Sequence, residues 1–389
     1  MPTSDVVIIG GGINGVAIAH ALARRGVGVT LLERNSIASG PTGRSCGIIR
    51  QHYSHEVTAG LAMESLSTFE NFAEAVGGEC DFRQTGFIMA AGPEREAALR
   101  ENVRLQQRVG IDTHLISVQE VQEMVPGVNT AGIALAAFEP RSGYADPHTT
   151  CSSYAASARS LGASIRTGVE VSRLSIESGR MVGVEATSGE RFDADSVVIA
   201  AGPWSPELAR LCGLELPIRA HRVQVGVFEA PADCAPRHIF IDTCLGMYHR
   251  PESGAMMLVG SVETAEADGS ISGPDDCAET ADPERMESYV ERLLRRVPPM
   301  LDGSFRAGYA SLYDVTPDWQ PIVDAVPGTE GLFCVAGSSG HGFKLAPGIA
   351  AMAADLVTRS TPADPLFSFG RFGSAVVAAG SYPEHSILG

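Results

Sequence analysis

The chain has 389 residues and a formal net charge of −17 at pH 7, spread along the sequence with no acidic tail. That length is enough for two domains. The charge argues against nucleic acid or an anionic membrane surface as partner, but not against a small anionic ligand held by the local field of a pocket.

The first thirty-odd residues read strand, turn, helix, strand. Residues 5–10, DVVIIG, are a β-branched run of the kind a parallel strand buries on both faces. GGGINGVAIAHALARRG follows, with Val16, Ala19, His20 and Ala23 at helical spacing and Gly26 as the stop. Residues 27–33, VGVTLLE, form the next strand. Helical patterns cover 63–76 and 93–110, with a strand near 85–90 between them. Residues 146–161 form a helix with Asp146 as N-cap and Pro147 at the first helical position. Strand patterns follow at 164–167, 170–176, 182–187, 196–200, 217–228 and 256–262. Residues 282–297 are a charged helix opening on a second Asp-Pro signal, and 332–336 a final buried strand. Beyond about residue 360 the sequence is loop-like. The mixed order implies two domains built from interleaved segments.

Eight cysteines occur without a CxxC pair or metal-ligand spacing, so reduced thiols and no metal are expected. The N-terminal apolar run has no basic segment ahead of it and belongs to a folded motif. No apolar stretch of about 18 residues is available to span a bilayer, so a cytoplasmic protein is expected.

Gly10-Gly11-Gly12-Ile13-Asn14-Gly15 fits GxGxxG, and it sits between a strand and a helix, with Glu33 ending the next strand. Gly10 permits the tight turn, Gly12 lets a pyrophosphate approach the backbone, and Gly15 allows close helix–strand contact. The helix N-terminus faces the phosphates, and Glu33 can accept from ribose hydroxyls. The motif alone leaves NAD and FAD open. SGPTGRS, residues 39–45, is glycine-punctuated and carries one cation, Arg44, which suits a pyrophosphate. SSGHGFKLAPG, residues 338–348, sets a lysine at the start of a helix, where the dipole is already positive, and so calls for an anionic partner.

Six blocks in order carry a resemblance over nearly the whole chain: GGGINGV with Glu33, SGPTGRSCGIIR, GYADPHT, VVIAAGPWS, TPDWQPIVD and GSSGHGFKLAPG. The sequence resembles the D-amino-acid-oxidase-like superfamily of flavoproteins, and within it the sarcosine oxidases and related amine dehydrogenases. The resemblance implies an α/β fold in which a Rossmann-type FAD-binding domain (residues 1–84, 143–215 and 304–389) is interleaved with an α+β substrate domain (85–142 and 216–303) containing an antiparallel sheet. It implies FAD contacts from Gly10, Gly12, Ile13, Asn14, Gly15, Glu33 and Arg34. The segment 39–50 would wrap the pyrophosphate and flavin edge through Ser39, Thr42, Gly43, Arg44, Ser45, Gly47 and Ile48. Val171, Ala201, Gly202 and Trp204 would meet the cofactor further on. Gly340, Gly342, Phe343 and Lys344 would aim backbone N–H groups at the flavin N1/O2 edge.

By the same resemblance, Arg50 and Lys344 together hold a substrate carboxylate. Tyr53, Tyr248 and His249 are further active-site candidates, and His341 supports its loop. The implied chemistry is oxidation of the C–N bond of a small amino acid, N-alkyl or cyclic amino acids included, by hydride transfer to flavin N5 and hydrolysis of the imine. The partner is then a small carboxylate-bearing amine. Arg50 and Lys344 would keep the amine neutral by like-charge repulsion. Two departures stand out. Ser311 occupies the place of the cysteine that carries a covalent flavin in some members, so the FAD is expected to be non-covalent. The position of the oxygen-activating lysine reads Leu258, and no lysine occurs between Arg250 and Arg285, which favours a dehydrogenase or a slow oxidase. The alternative is a non-catalytic flavoprotein subunit or assembly factor with structural FAD.

Overall fold

A computed structural model shows how these segments assemble; it describes residues 3–263 and 268–373. The first sheet has eight strands. Thr3–Ile9 lies at its centre, parallel to Val29–Glu33 on one side and to Arg191–Ile199 on the other. Ser164–Thr167 and Leu332–Ala336 extend it in parallel, and Ile322–Ala325 closes one edge antiparallel. The buried runs Val6–Ile9 and Val197–Ile199 are apolar on both sides, because helices cover one face and the hairpin Val171–Glu177/Arg180–Ala186 the other.

Helix Ile13–Ala23 packs between Pro147–Ser160 and Gly342–Arg359. Pro147–Ser160 starts as its sequence dictates: the Asp146 carboxylate accepts from Thr149 N–H at 2.7 Å. The other Asp-Pro signal behaves differently. Helix Pro283–Arg296 forms, yet Asp282 does not cap it; its carboxylate accepts from Arg222 Nη1 at 2.6 Å and from Gln224 Nε2 at 2.9 Å on a neighbouring strand. The helix expected over 63–76 begins earlier, as Glu56–Glu70, and resumes as the single turn Phe72–Ala75.

The second sheet has nine strands and is mainly antiparallel. Its longest pairing joins Arg219–Glu229 to Ser304–Val315 over the full length of both. Residues 304–315, expected in the nucleotide-binding part, therefore belong to this sheet. Met256–Ser261, Met247–Pro251 and Ile239–Asp242 follow in order, and Phe87–Ala91, Leu135–Glu139 and His114–Ile116 complete the path from a distant part of the chain. Helix Pro283–Arg296 is pinned to the sheet by a fully buried pair, Arg296 Nε to Asp242 Oδ2 at 2.6 Å. Among the described residues no helix is long and apolar enough to cross a membrane.

Candidate active site

A cavity of about 570 Å³ runs between the two sheets. One end is built by the turn after the first strand. Gly10 has φ +114°, and a Cβ there would lie 2.4 Å from Ala200 O, so only glycine lets the two strand ends meet. The helix that follows has no side-chain cap on its backbone N–H groups beyond Ile13 N–H, which donates to Thr42 Oγ1 at 3.2 Å. Gly10, Gly12, Ile13 and Asn14 line the cavity. The Asn14 amide donates to Ser338 Oγ at 3.1 Å, while its Oδ1 is buried without a partner.

Glu33 also lines the cavity, accepting from Gly11 N–H at 2.6 Å and Asn35 N–H at 2.7 Å. Arg34 lies 4.9 Å over the Trp204 ring and forms a two-pronged pair with Asp275, which also accepts from Trp204 Nε1 at 3.0 Å. Arg44 reaches Ser39 O at 3.3 Å and pairs with Glu279. The segment 274–279 of the second unit thus crosses the nucleotide end of the cavity, held by the two arginines expected to face the cofactor. Nothing in the local sequence signals this strap, because its partners are distant in the chain.

Ser39, Thr42, Ser45, Ile48, Val171, Ala201 and Gly202 line the cavity. Gly15, Gly43 and Gly47 do not. A Cβ on each would strike the carbonyl oxygen of Gly10, Ala38 or Ala145, so they let chain segments pack together instead of facing a ligand. The first intrahelical bond of Gly342–Arg359 is Leu345 N–H to His341 O. The N–H groups of Gly342, Phe343 and Lys344 are consequently left for another acceptor. These three residues and Gly340 all line the cavity.

At this end the two expected cations meet. Arg50 and Lys344, 3% and 6% exposed, both line the cavity. Arg50 Cζ lies 4.6 Å from the Tyr53 ring centroid, and its Nη1 donates to His52 O. Lys344 Nζ donates to Gly340 O at 3.1 Å. Burial, and then the Arg50 guanidinium, hold the Lys344 amine well below the usual lysine range. The opposite wall is apolar: Val223, Val225, Ile241 and Val262, with Tyr248 and Tyr313. Tyr248 Oη lies 2.9 Å from Cys46 Sγ. Tyr313, not foreseen, is two residues from Ser311 on one strand and shares its face; the period of two was the signal available.

Two candidates lie elsewhere. His249 follows Tyr248 on a strand, so its ring points to the opposite face, where it stacks on Phe240 at 5.4 Å. Its nitrogens have no hydrogen-bond partner, and burial pushes it down to about 4. Tyr53 sits behind Arg50, off the cavity, with Oη 3.1 Å from His341 Nδ1. Leu258 is buried away from the cavity; the residue of its strand region that lines it is Val262, so the wall remains without a lysine.

A parallel sheet with a glycine turn at a helix N-terminus, joined across one cavity to an antiparallel sheet and a buried cation pair, defines an FAD-dependent oxidoreductase fold. The chain belongs to the family described as "DAO: FAD dependent oxidoreductase", whose model matches residues 5–356. It is 25% identical to a sarcosine oxidase subunit beta of Rhodobacter capsulatus over 376 residues, covering 95% of this chain and 88% of the relative. It is 26% identical to a glycine oxidase of Geobacillus kaustophilus, covering 94% of this chain and 96% of the relative. The solved structure of an L-proline dehydrogenase from P. horikoshii superposes with a TM-score of 0.88 at 27% identity, covering 96% of this chain and 99% of that one. The protein is thus an FAD-dependent amine or amino-acid oxidoreductase. The residues fit FAD: the glycine turn admits a pyrophosphate, the buried Oδ1 of the cavity-lining Asn14 has no protein donor, and the last helix offers free N–H groups.

Proposed function

We propose that the protein oxidises the C–N bond of a small amino acid, N-alkyl or cyclic amino acids included, and that Arg50 and Lys344 hold its carboxylate. When bound, FAD supplies the acceptor for the hydride that leaves the carbon next to nitrogen, and water then hydrolyses the imine. The observation that carries this reading is the meeting of Arg50 and Lys344 in one buried cavity, with no carboxylate paired to Lys344 among the described residues. Each charge-assisted hydrogen bond contributes about 1.5–3 kcal/mol, enough to offset the desolvation of a small carboxylate when two cations share it.

The other residues take supporting roles. The apolar wall of Val223, Val225, Ile241 and Val262 excludes water and receives the substrate's carbon substituents. Tyr248, packed over Gly260, limits the size of that substituent. Gly342, Phe343 and Lys344 N–H groups would favour negative charge on a cofactor held against them. Ser311 lines the cavity and cannot form a thioether, so no covalent flavin link forms at that position.

Anaerobic mixing of the purified yellow protein with a panel of amines and amino acids tests the reading. Carboxylate-bearing amines should bleach the flavin. A protein that keeps its FAD but is bleached by none of them would instead be a flavoprotein with a structural cofactor.

A further inference from the structure

Lys344 is the one lysine among the 29 lysine and arginine residues of the chain. Its setting is unusual for an ammonium group. It is buried in the first turn of a helix, where the backbone dipole is positive. Its Nζ has one hydrogen-bond acceptor, the Gly340 carbonyl, and no carboxylate within ion-pair reach among the described residues.

The groups around it offer no negative charge. Arg50 stands beside it from the segment after strand Ile48–Ile49, His341 from its own loop, Cys46 from the segment before that strand, and Tyr248 and Tyr313 from the second sheet. The carboxylates on the cavity wall are engaged elsewhere. Glu33 holds two backbone N–H groups, Glu170 and Asp275 pair with Arg34, and Glu279 pairs with Arg44. Asp314 Oδ2 takes the N–H of Gly337 at 2.8 Å. Glu207 lies on helix Ser205–Arg210 and makes no ion pair with Lys344. A buried ammonium beside a guanidinium, with a single carbonyl oxygen as its own acceptor, is costly, and arginine keeps its proton in proteins. Lysine is the member of the pair that can give its proton up.

We propose that Lys344 is the proton acceptor of the reaction: its Nζ takes the proton of the bound substrate's ammonium group and, so charged, pairs with the substrate's carboxylate. One N–H bond breaks on the substrate nitrogen and one forms on Nζ. No electron is transferred in this step, and the charge in the cavity is unchanged. The substrate nitrogen is left with the lone pair that hydride departure requires. The inference rests on the carboxylate-binding reading above, and it narrows the substrate class. One Nζ reaches both groups when amine and carboxylate share a carbon, so α-amino acids are favoured over amines whose carboxylate is further along the chain.

Two measurements on the FAD-loaded protein test it. Calorimetric titration with tetrahydrofuran-2-carboxylate, a carboxylate without an amine, is run near neutral pH in buffers of different ionisation heat. Uptake of about one proton per site is expected, since a charge-neutral lysine must gain its proton to pair with the anion. Binding without uptake overturns the proton role and leaves the carboxylate clamp standing. Absence of binding, or binding equal in Lys344→Met, overturns the clamp and the inference with it. The second measurement needs no ligand. In protein carrying 15N-labelled lysine, Lys344 is the only side-chain signal, detected through its ε-methylene protons. Its 15N shift should be that of a neutral amine at pH 7; the shift of a charged ammonium would overturn the inference.

Discussion

Tyr53 Oη and His341 Nδ1 lie 3.1 Å apart in a fully buried contact that ties the segment carrying Arg50 to the loop that opens the helix carrying Lys344. The Tyr53 ring also supports the Arg50 guanidinium from 4.6 Å. The two halves of the proposed clamp are therefore held in register behind the cavity by residues that do not face it. Tyr53→Phe should keep the ring under Arg50 and leave His341 Nδ1 unpaired. The expected loss is about 1–3 kcal/mol of stability, the penalty for a buried polar atom without a partner. KM for the substrate should rise, with FAD retained. Thermal melting together with steady-state kinetics checks both effects.

Lys344→Met should raise KM for a carboxylate substrate by roughly 10- to 150-fold, the equivalent of one charge-assisted hydrogen bond of about 1.5–3 kcal/mol. The visible flavin spectrum should persist, because the backbone N–H groups at this helix start do not depend on the side chain. The substitution also removes a desolvated amine, so melting temperature should hold or rise. An unchanged KM would remove the carboxylate role.

Stability should fall as pH is lowered from about 6.5 to 4. Burial pushes both His20 and His249 down to about 4, whereas an unperturbed histidine titrates near 6.5. Between those values the unfolded chain binds protons that the native state refuses, so protonation favours unfolding. His341 is displaced in the same direction by burial, Lys344 and Arg50. Asp314, pushed up to about 6 by burial, acts with the opposite sign, and three histidines outweigh it. Melting curves across this range check the slope. His249→Phe should flatten it while leaving kcat/KM unchanged, because that ring stacks on Phe240 away from the cavity.

Acid precipitation should release the yellow colour, and the polypeptide mass should match the sequence. Ser311 lacks the thiol needed for a thioether. Two cysteines, Cys46 and Cys277, do line the cavity, so a mass increased by the flavin would direct attention to them.

The strand–turn–helix–strand start was legible because its signals are local: glycines at fixed offsets, a β-branched run on each side, and an acid at the end of the second strand. The bounds of Ser164–Thr167 and Leu332–Ala336 follow for the same reason. The second sheet was harder. Phe87–Ala91 pairs with Ile239–Asp242, far along the chain, and no local pattern specifies that partner. Residues 304–315 were grouped with the nucleotide-binding segments; their pairing with Arg219–Glu229 was not legible, because a solvent-facing half, Ser304–Gly308, hides the strand's alternation. In the site, Arg50 and Lys344 were paired through the resemblance, and both line the cavity. His249 was misplaced because adjacent strand residues face opposite sides, and the sequence does not say which parity meets the cavity. The acidic strap over Arg34 and Arg44 had no signal at all, since its pairing is wholly tertiary.

Anaerobic flavin bleaching by a matched pair of amines, L-proline and pyrrolidine, tests the central claim most directly. The two share the ring and the nitrogen and differ only in the carboxylate. Arg50 and Lys344 predict reduction by the amino acid at concentrations where pyrrolidine is inert, with that preference weakened in Lys344→Met. Equal bleaching by both, or a preference unchanged by the substitution, would contradict the account.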